Sequence, residues 1–384
     1  MIKDDSIGIV TPQKFVFGIE DEDALILDCG KELRPVTIEY ETYGKLNKNR
    51  NNAVLIIHAL TGNAHIAGYH SKNDKKPGWW EEMVGPGKAF DTNKYFIVCS
   101  NSIGGCSGST GPRSINPETQ KRYNLAFPVI TIADMVRAQH RLMQHLNISK
   151  WLSIAGGSMG GMQVLQWSID YPDCAESIIA IATTTSLSSQ AIAFDWVGRE
   201  AIMSDPNWNN GNYEESIPEK GLATARMLAH ITYLSDKSMN MKFGRRLGKQ
   251  DNYNYDFTKN FQVESYLEHQ GQRFVERFDA NCYLYITRAM DYFDLTAKDN
   301  GNLEATLSVI KANFLVISFS SDWLFPPEES KKIVSGLRHN NTNVAYCNIH
   351  SNYGHDAFLL ETETLTSLIS DFLKCRYKEL CNVS

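Results

Sequence analysis

The segment Gly156-Gly157-Ser158-Met159-Gly160-Gly161 constrains this chain more than any other. It follows the apolar run Leu152-Ser153-Ile154-Ala155 and precedes a helical pattern over 162–171. A serine set among glycines between a strand and a helix implies a corner so tight that a Cβ at the flanking positions would strike neighbouring backbone. Such a corner lifts the hydroxyl clear of the strand ends. It also aims the amide of Met159, and the positive end of the following helix, at the oxygen of whatever the hydroxyl attacks. The segment predicts helices packed on a sheet, with a nucleophilic serine at the end of one strand.

The rest of the chain agrees with a sheet of that kind. Apolar runs of strand length recur at 53–57, 95–99, 152–155, 177–182, 314–319 and 344–349, as buried parallel strands do. Helical patterns lie between them, as over 131–146, where Ile132, Met135, Val136, Leu142 and Leu146 recur near helical spacing and Thr131 caps the start. This alternation predicts a wound α/β sheet. It lapses over 185–300, where the text turns helical, aromatic and rich in amides. We therefore expect an α/β core in two parts, 1–184 and 301–384, with 185–300 as a helical insertion placed to cover the site as a lid.

With 384 residues, 42% of them hydrophobic, the chain can bury a large core, which excludes disorder and miniature scaffolds. Its 38 basic and 44 acidic residues are dispersed, so no face for nucleic acid is expected. The start, Met1 to Ser6, lacks the basic and apolar runs of a signal peptide, and no stretch has the length of a membrane span. The cysteines show no C-x-x-C pair, as in the reduced thiols of a cytoplasmic protein. The expectation is a cytoplasmic protein with no membrane partner.

A serine nucleophile needs a base, and the base needs a carboxylate to hold its tautomer. In the α/β-hydrolase fold the chain order is serine, acid, histidine. Asp322 follows the run at 314–319 and His355 follows the run at 344–349, so Ser158, Asp322 and His355 satisfy order and position together. An aspartate after a strand is often only a turn former, and His350 competes with His355. The loop-tip setting after Gly354 favours His355. A second oxyanion donor is expected after an early strand, and in His58-Ala59-Leu60-Thr61-Gly62 the amide of Leu60 is the candidate, beside that of Met159. His58 and His65 show no carboxylate or cysteine at ligand spacing, so no metal is expected. The glycine-rich stretch 103–112 lacks the ending of a phosphate loop and is read as a structured loop near the site.

With these residues in hand, the chain resembles the homoserine O-acetyltransferase family of methionine biosynthesis over nearly its whole length. The resemblance rests on long phrases: His58 to Gly62, Gly85 to Asp91, Ser100 to Pro112, Phe127 to Ile132, Gly156 to Gln163, Val263 to Leu267 and Phe274 to Asn281. It implies that Ser158 takes an acetyl group from acetyl-CoA, with His355 as base, and passes it to the γ-hydroxyl of L-homoserine. Acetyl-CoA is then a co-substrate and no cofactor is needed. The resemblance further implies that Arg226 and Tyr233 receive the substrate carboxylate, that Asp356 pairs with its ammonium, and that the protein is a homodimer formed through lid helices. Succinyl-transferring relatives carry an arginine two residues after the triad aspartate, where this chain has Leu324, which points to an acetyl donor. The alternatives are a homoserine or serine O-succinyltransferase using succinyl-CoA, and a serine esterase or other hydrolase.

Overall fold

The computed structural model describes residues 5–20 and 23–383. Residues 1–4, the start of the segment read above for a signal peptide, lie outside them. Eight strands form the central sheet: β1 (Gln13–Phe17), β2 (Val36–Tyr43), β3 (Ala53–Ile57), β4 (Phe96–Ser100), β5 (Ser153–Gly157), β6 (Ser177–Ile181), β7 (Asn313–Phe319) and β8 (Val344–Ile349). Their order is β1-β2-β4-β3-β5-β6-β7-β8. The β1–β2 and β2–β4 pairings are antiparallel and all others parallel, so this is the mostly parallel sheet of an α/β-hydrolase fold.

The central strands β3, β5 and β6 are buried at every residue, which is why each is a continuous apolar or small-residue run. Two apolar layers sandwich the sheet. One holds Leu55, Ile154 and Ile178 against helices α1 (Ile132–His145) and α2 (Met159–Asp170), and the other holds Val54, Ile56 and Ile179 against the C-terminal helix. Thr131 caps α1 as expected: its hydroxyl accepts from the amide of Asp134, whose carboxylate accepts from the amide of Thr131.

Between β6 and β7 come α3 (Ser189–Met203), α4 (Glu219–Tyr233), α5 (Asp236–Lys242), α6 (Gln262–Val275) and α7 (Ala280–Asp291), with no strand of the central sheet among them. Helix α4 packs against both α3 and α6, and α3 also against α7, and residues of α3, α4 and α7 line the cleft that holds Ser158. No helix among the described residues is long and apolar enough to cross a membrane.

Candidate active site

Ser158 stands between β5 and α2 with φ 57° and ψ −123°, in the strained region that this corner demands of a residue other than glycine. The corner survives because nothing nearby can yield. A Cβ on Gly160 would lie 2.2 Å from the carbonyl oxygen of Ile57, and one on Gly156 would lie 2.4 Å from that of Gly160. The amide of Ser158 donates to the Ile181 carbonyl at 3.0 Å, and the Thr183 hydroxyl donates to the Ser158 carbonyl at 3.0 Å, tying the corner to the neighbouring strand.

The two partners arrive from the far end of the chain. His355 Nε2 lies 2.8 Å from Ser158 Oγ, and His355 Nδ1 lies 2.7 Å from Asp322 Oδ2. The other carboxylate oxygen of Asp322 accepts from the amides of Leu324, at 3.0 Å, and Phe325, at 2.9 Å, so the acid is held at both ends. Gly354 lets the chain turn into His355 at φ 75°, and a Cβ there would meet the Ser235 amide at 2.5 Å. Burial alone would push the His355 pKa down, but the adjoining Asp322 carboxylate outweighs it and leaves the imidazole above its ordinary value. His350, the competing histidine, is exposed and sits 3.3 Å from the Ser320 hydroxyl, away from Ser158.

Leu60 is buried and lines a narrow cleft together with Ser158. Neither its amide nor that of Met159 donates a hydrogen bond among the described residues, which leaves both free for an oxyanion. The same cleft is lined by Leu324 and, from the overlying helices, by Asp195, Ala229, Tyr233 and Tyr283.

Arg226 and Asp356 are both half-buried. The Arg226 guanidinium lies over the rings of Tyr233, at 5.6 Å, and Phe274, at 4.8 Å, and reaches the Thr61 hydroxyl only at 3.5 Å. No carboxylate lies within 4.0 Å of it among the described residues. Burial raises the Asp356 pKa, with the charges of His355 and Arg226 working against that rise. The Tyr233 ring lies 6.0 Å from that of His355, and burial pushes its phenol up to about 12.

Sequence reasoning missed several neighbours. Arg277 donates to the Thr61 carbonyl at 3.0 Å, on the same residue whose hydroxyl Arg226 reaches; burial, then the charge of Arg226, pull its pKa below the usual value. Asp195 is pushed up to about 8 by burial and by the nearby Asp291. Nothing in the sequence set Asp195 apart from the rest of α3.

The two histidines weighed together for a metal part company. His58 is a strut: it accepts from the Ser102 amide at 3.1 Å on one nitrogen and faces the Ala59 carbonyl at 2.8 Å on the other. His65 has the carboxylate that its sequence neighbourhood lacked, because Glu41 of β2 comes to 3.0 Å from it across the fold. The glycine-rich stretch 103–112 is folded against β2, its Thr110 amide donating to the Thr37 carbonyl at 2.9 Å, and together with Leu60 and His58 it lines a small cavity.

Residues 52–362 match the family described as the alpha/beta hydrolase fold. A homoserine O-acetyltransferase of Methanohalobium evestigatum is 58% identical over 356 residues, covering 92% of this chain and 72% of the relative. Among solved structures, homoserine O-acetyltransferase from Bacillus anthracis superposes with a TM-score of 0.89 at 30% identity, over 95% of this chain and 98% of that one. Esterase E22 superposes at 0.87 with 31% identity, over 95% and 100%. On these similarities and on its sheet topology, the chain belongs to the homoserine O-acetyltransferase family of α/β-hydrolase-fold proteins.

Proposed function

We propose that the protein transfers an acetyl group from acetyl-CoA to the γ-hydroxyl of L-homoserine in methionine biosynthesis, by way of an acetyl group carried on Ser158. His355 Nε2 takes the proton of Ser158 as Oγ attacks the thioester carbonyl, and the amides of Leu60 and Met159 hold the resulting oxyanion. Collapse expels the CoA thiolate, which leaves with the proton from His355. In the second half the same imidazole takes the γ-hydroxyl proton of homoserine, whose oxygen attacks the acetyl carbonyl. The ester product leaves as the proton returns to Ser158. Asp322 holds the imidazole in the tautomer both halves require and stabilises its charged form. Each oxyanion donor contributes on the order of 3 kcal/mol in sites of this kind. The chemistry requires no cofactor.

The observation that carries this reading is a pair of opposite charges near His355, Asp356 directly after it and Arg226 over Tyr233, whose ring is 6.0 Å from that of His355. Arg226 has no carboxylate partner among the described residues, and Asp356 directly follows His355, so a zwitterionic acceptor would meet one fixed cation and one fixed anion. Tyr233 then borders the carboxylate. Leu324 on the cleft wall gives a succinyl carboxylate no charge to pair with, which favours the acetyl donor. The likeness to an esterase keeps hydrolysis as the second reading, since the same three side chains serve either acceptor. We further place the protein in the cytoplasm as a homodimer joined through its lid helices, where α3 exposes Trp196 and Val197.

The test is CoA release from acetyl-CoA with and without homoserine, followed by the intact mass of the protein after brief exposure to acetyl-CoA or succinyl-CoA. Homoserine-dependent release, with an acetyl adduct at Ser158, is expected. Release at the same rate without homoserine would reject the transfer reading.

A further inference from the structure

A second cluster of reactive side chains stands apart from the Ser158 triad. Glu41 at the end of β2 is 2% exposed, and its two oxygens face two different imidazoles, His65 Nδ1 at 3.0 Å and His70 Nε2 at 2.7 Å. The two rings lie 3.8 Å apart, and the three donor atoms all fall within 4.8 Å of one another. We propose that Glu41, His65 and His70 form a binding site for a divalent first-row transition ion, which ties β2 to the segment that carries Leu60.

Two imidazoles and one carboxylate suit zinc, cobalt or nickel rather than magnesium or calcium, whose sites are built from oxygen. Bonds of about 2.0–2.1 Å to a tetrahedral ion set its donors roughly 3.3 Å apart, so the cluster needs only small side-chain rotations. Each histidine can turn a bare nitrogen to the ion by moving its proton to the opposite ring position, since neither His65 Nε2 nor His70 Nδ1 has a partner among the described residues. Outer support is present: the Tyr43 hydroxyl donates to Glu41 Oε2 at 2.6 Å, as carboxylate ligands usually require. His70 is 44% exposed, so solvent reaches one side and supplies the fourth ligand position.

The consequence reaches the oxyanion donor. Tyr43 Oη also accepts from the Ile66 amide at 3.0 Å and lies 3.1 Å from the Ala64 carbonyl, and the Asn101 side chain accepts from the Ala64 amide at 2.7 Å. An ion at Glu41 therefore fastens the segment a few residues after Leu60 to the sheet, and acts on the active site only through that backbone.

The test uses the full chain without a histidine tag, stripped by a chelator and titrated with Zn²⁺ by calorimetry and with Co²⁺ by visible absorption. One equivalent is expected, with a higher melting temperature when bound and ligand-field bands of four-coordinate cobalt. His70→Ala, a change at a half-exposed side chain that leaves the core intact, should weaken Zn²⁺ binding at least 10-fold, and His65→Ala likewise. His355→Ala should leave it unchanged, since that histidine belongs to the other cluster. Absence of stoichiometric binding at micromolar Zn²⁺, or full affinity in the His65→Ala and His70→Ala proteins, overturns the proposal. Loss of binding in His355→Ala alone would place the ion at the triad and overturn it equally. None of these readouts depends on acetyl transfer.

Discussion

Replacing Gly160 by alanine tests how the active-site corner is built. Its new Cβ would stand 2.2 Å from the Ile57 oxygen, 3.0 Å from the Ile57 carbonyl carbon and 3.1 Å from the His58 oxygen, where ordinary contact begins at 3.4 Å. The shortfall of 1.2 Å falls on backbone, so either α2 or the end of β3 must retreat by about that much. Overpacking of this kind costs about 1–3 kcal/mol, seen as a fall of a few degrees in Tm. The catalytic loss should be larger than the stability loss suggests, because the retreat separates the amide of Met159 from that of Leu60, three residues beyond Ile57. A misplacement near 1 Å costs roughly 100-fold in turnover. Gly157→Ala is the milder change in the same motif: its Cβ meets the buried ring of Phe358 at 2.8 Å, so the strain falls on a side chain and not on the backbone that sets the Met159 and Leu60 amides. We expect kcat for acetyl transfer to fall about 100-fold in Gly160→Ala and far less in Gly157→Ala, with both proteins folded by circular dichroism. A Gly160→Ala enzyme within threefold of wild type would refute the reasoning.

Arg226→Ala should raise KM for homoserine roughly 10- to 100-fold while sparing the acetylation of Ser158 by acetyl-CoA, which steady-state and single-turnover kinetics separate. Because Asp322 holds the His355 pKa above its ordinary value, the imidazole stays protonated, and unable to act as base, up to a higher pH than a free one. The acidic limb of kcat/KM should thus lie above the free-imidazole value, and Asp356→Asn, which removes a second nearby negative charge, should move that limb to lower pH. Leu324→Arg should shift the ratio of succinyl-CoA to acetyl-CoA use by an order of magnitude or so, read from initial rates with each thioester.

What could be read from residues alone follows a physical division. Strands buried on both faces announce themselves, and the run at 53–57 falls on β3 with the same ends; the run at 344–349 also matches β8, although that edge strand is mostly half-covered or exposed. Strands β1 and β2 escaped notice because charged residues interrupt them: Val36, Ile38 and Tyr40 turn inward while Thr37 and Glu39 between them are only half-covered. The triad was legible because the corner at Ser158 and the chain order of its partners are local facts repeated along a known topology. Arg226, Tyr233 and Asp356 were visible only through the family resemblance, since a lone arginine on a helix gives no sign of what it faces. Asp195 and the grouping of Glu41 with His65 and His70 were invisible for the same reason: each depends on elements brought together by the folded sheet.

The hydrogen bonds that secure Asp322 come from the main chain of Leu324 and Phe325, the very stretch that lines the cleft holding Ser158. The Leu324 side chain is therefore free to vary, and on the proposed acetyl-transfer reading donor preference can drift at that position with the Asp322–His355 pairing untouched. Insertions or deletions between residues 322 and 325 have no such latitude, for they would unseat the acid whose charge makes the imidazole a base.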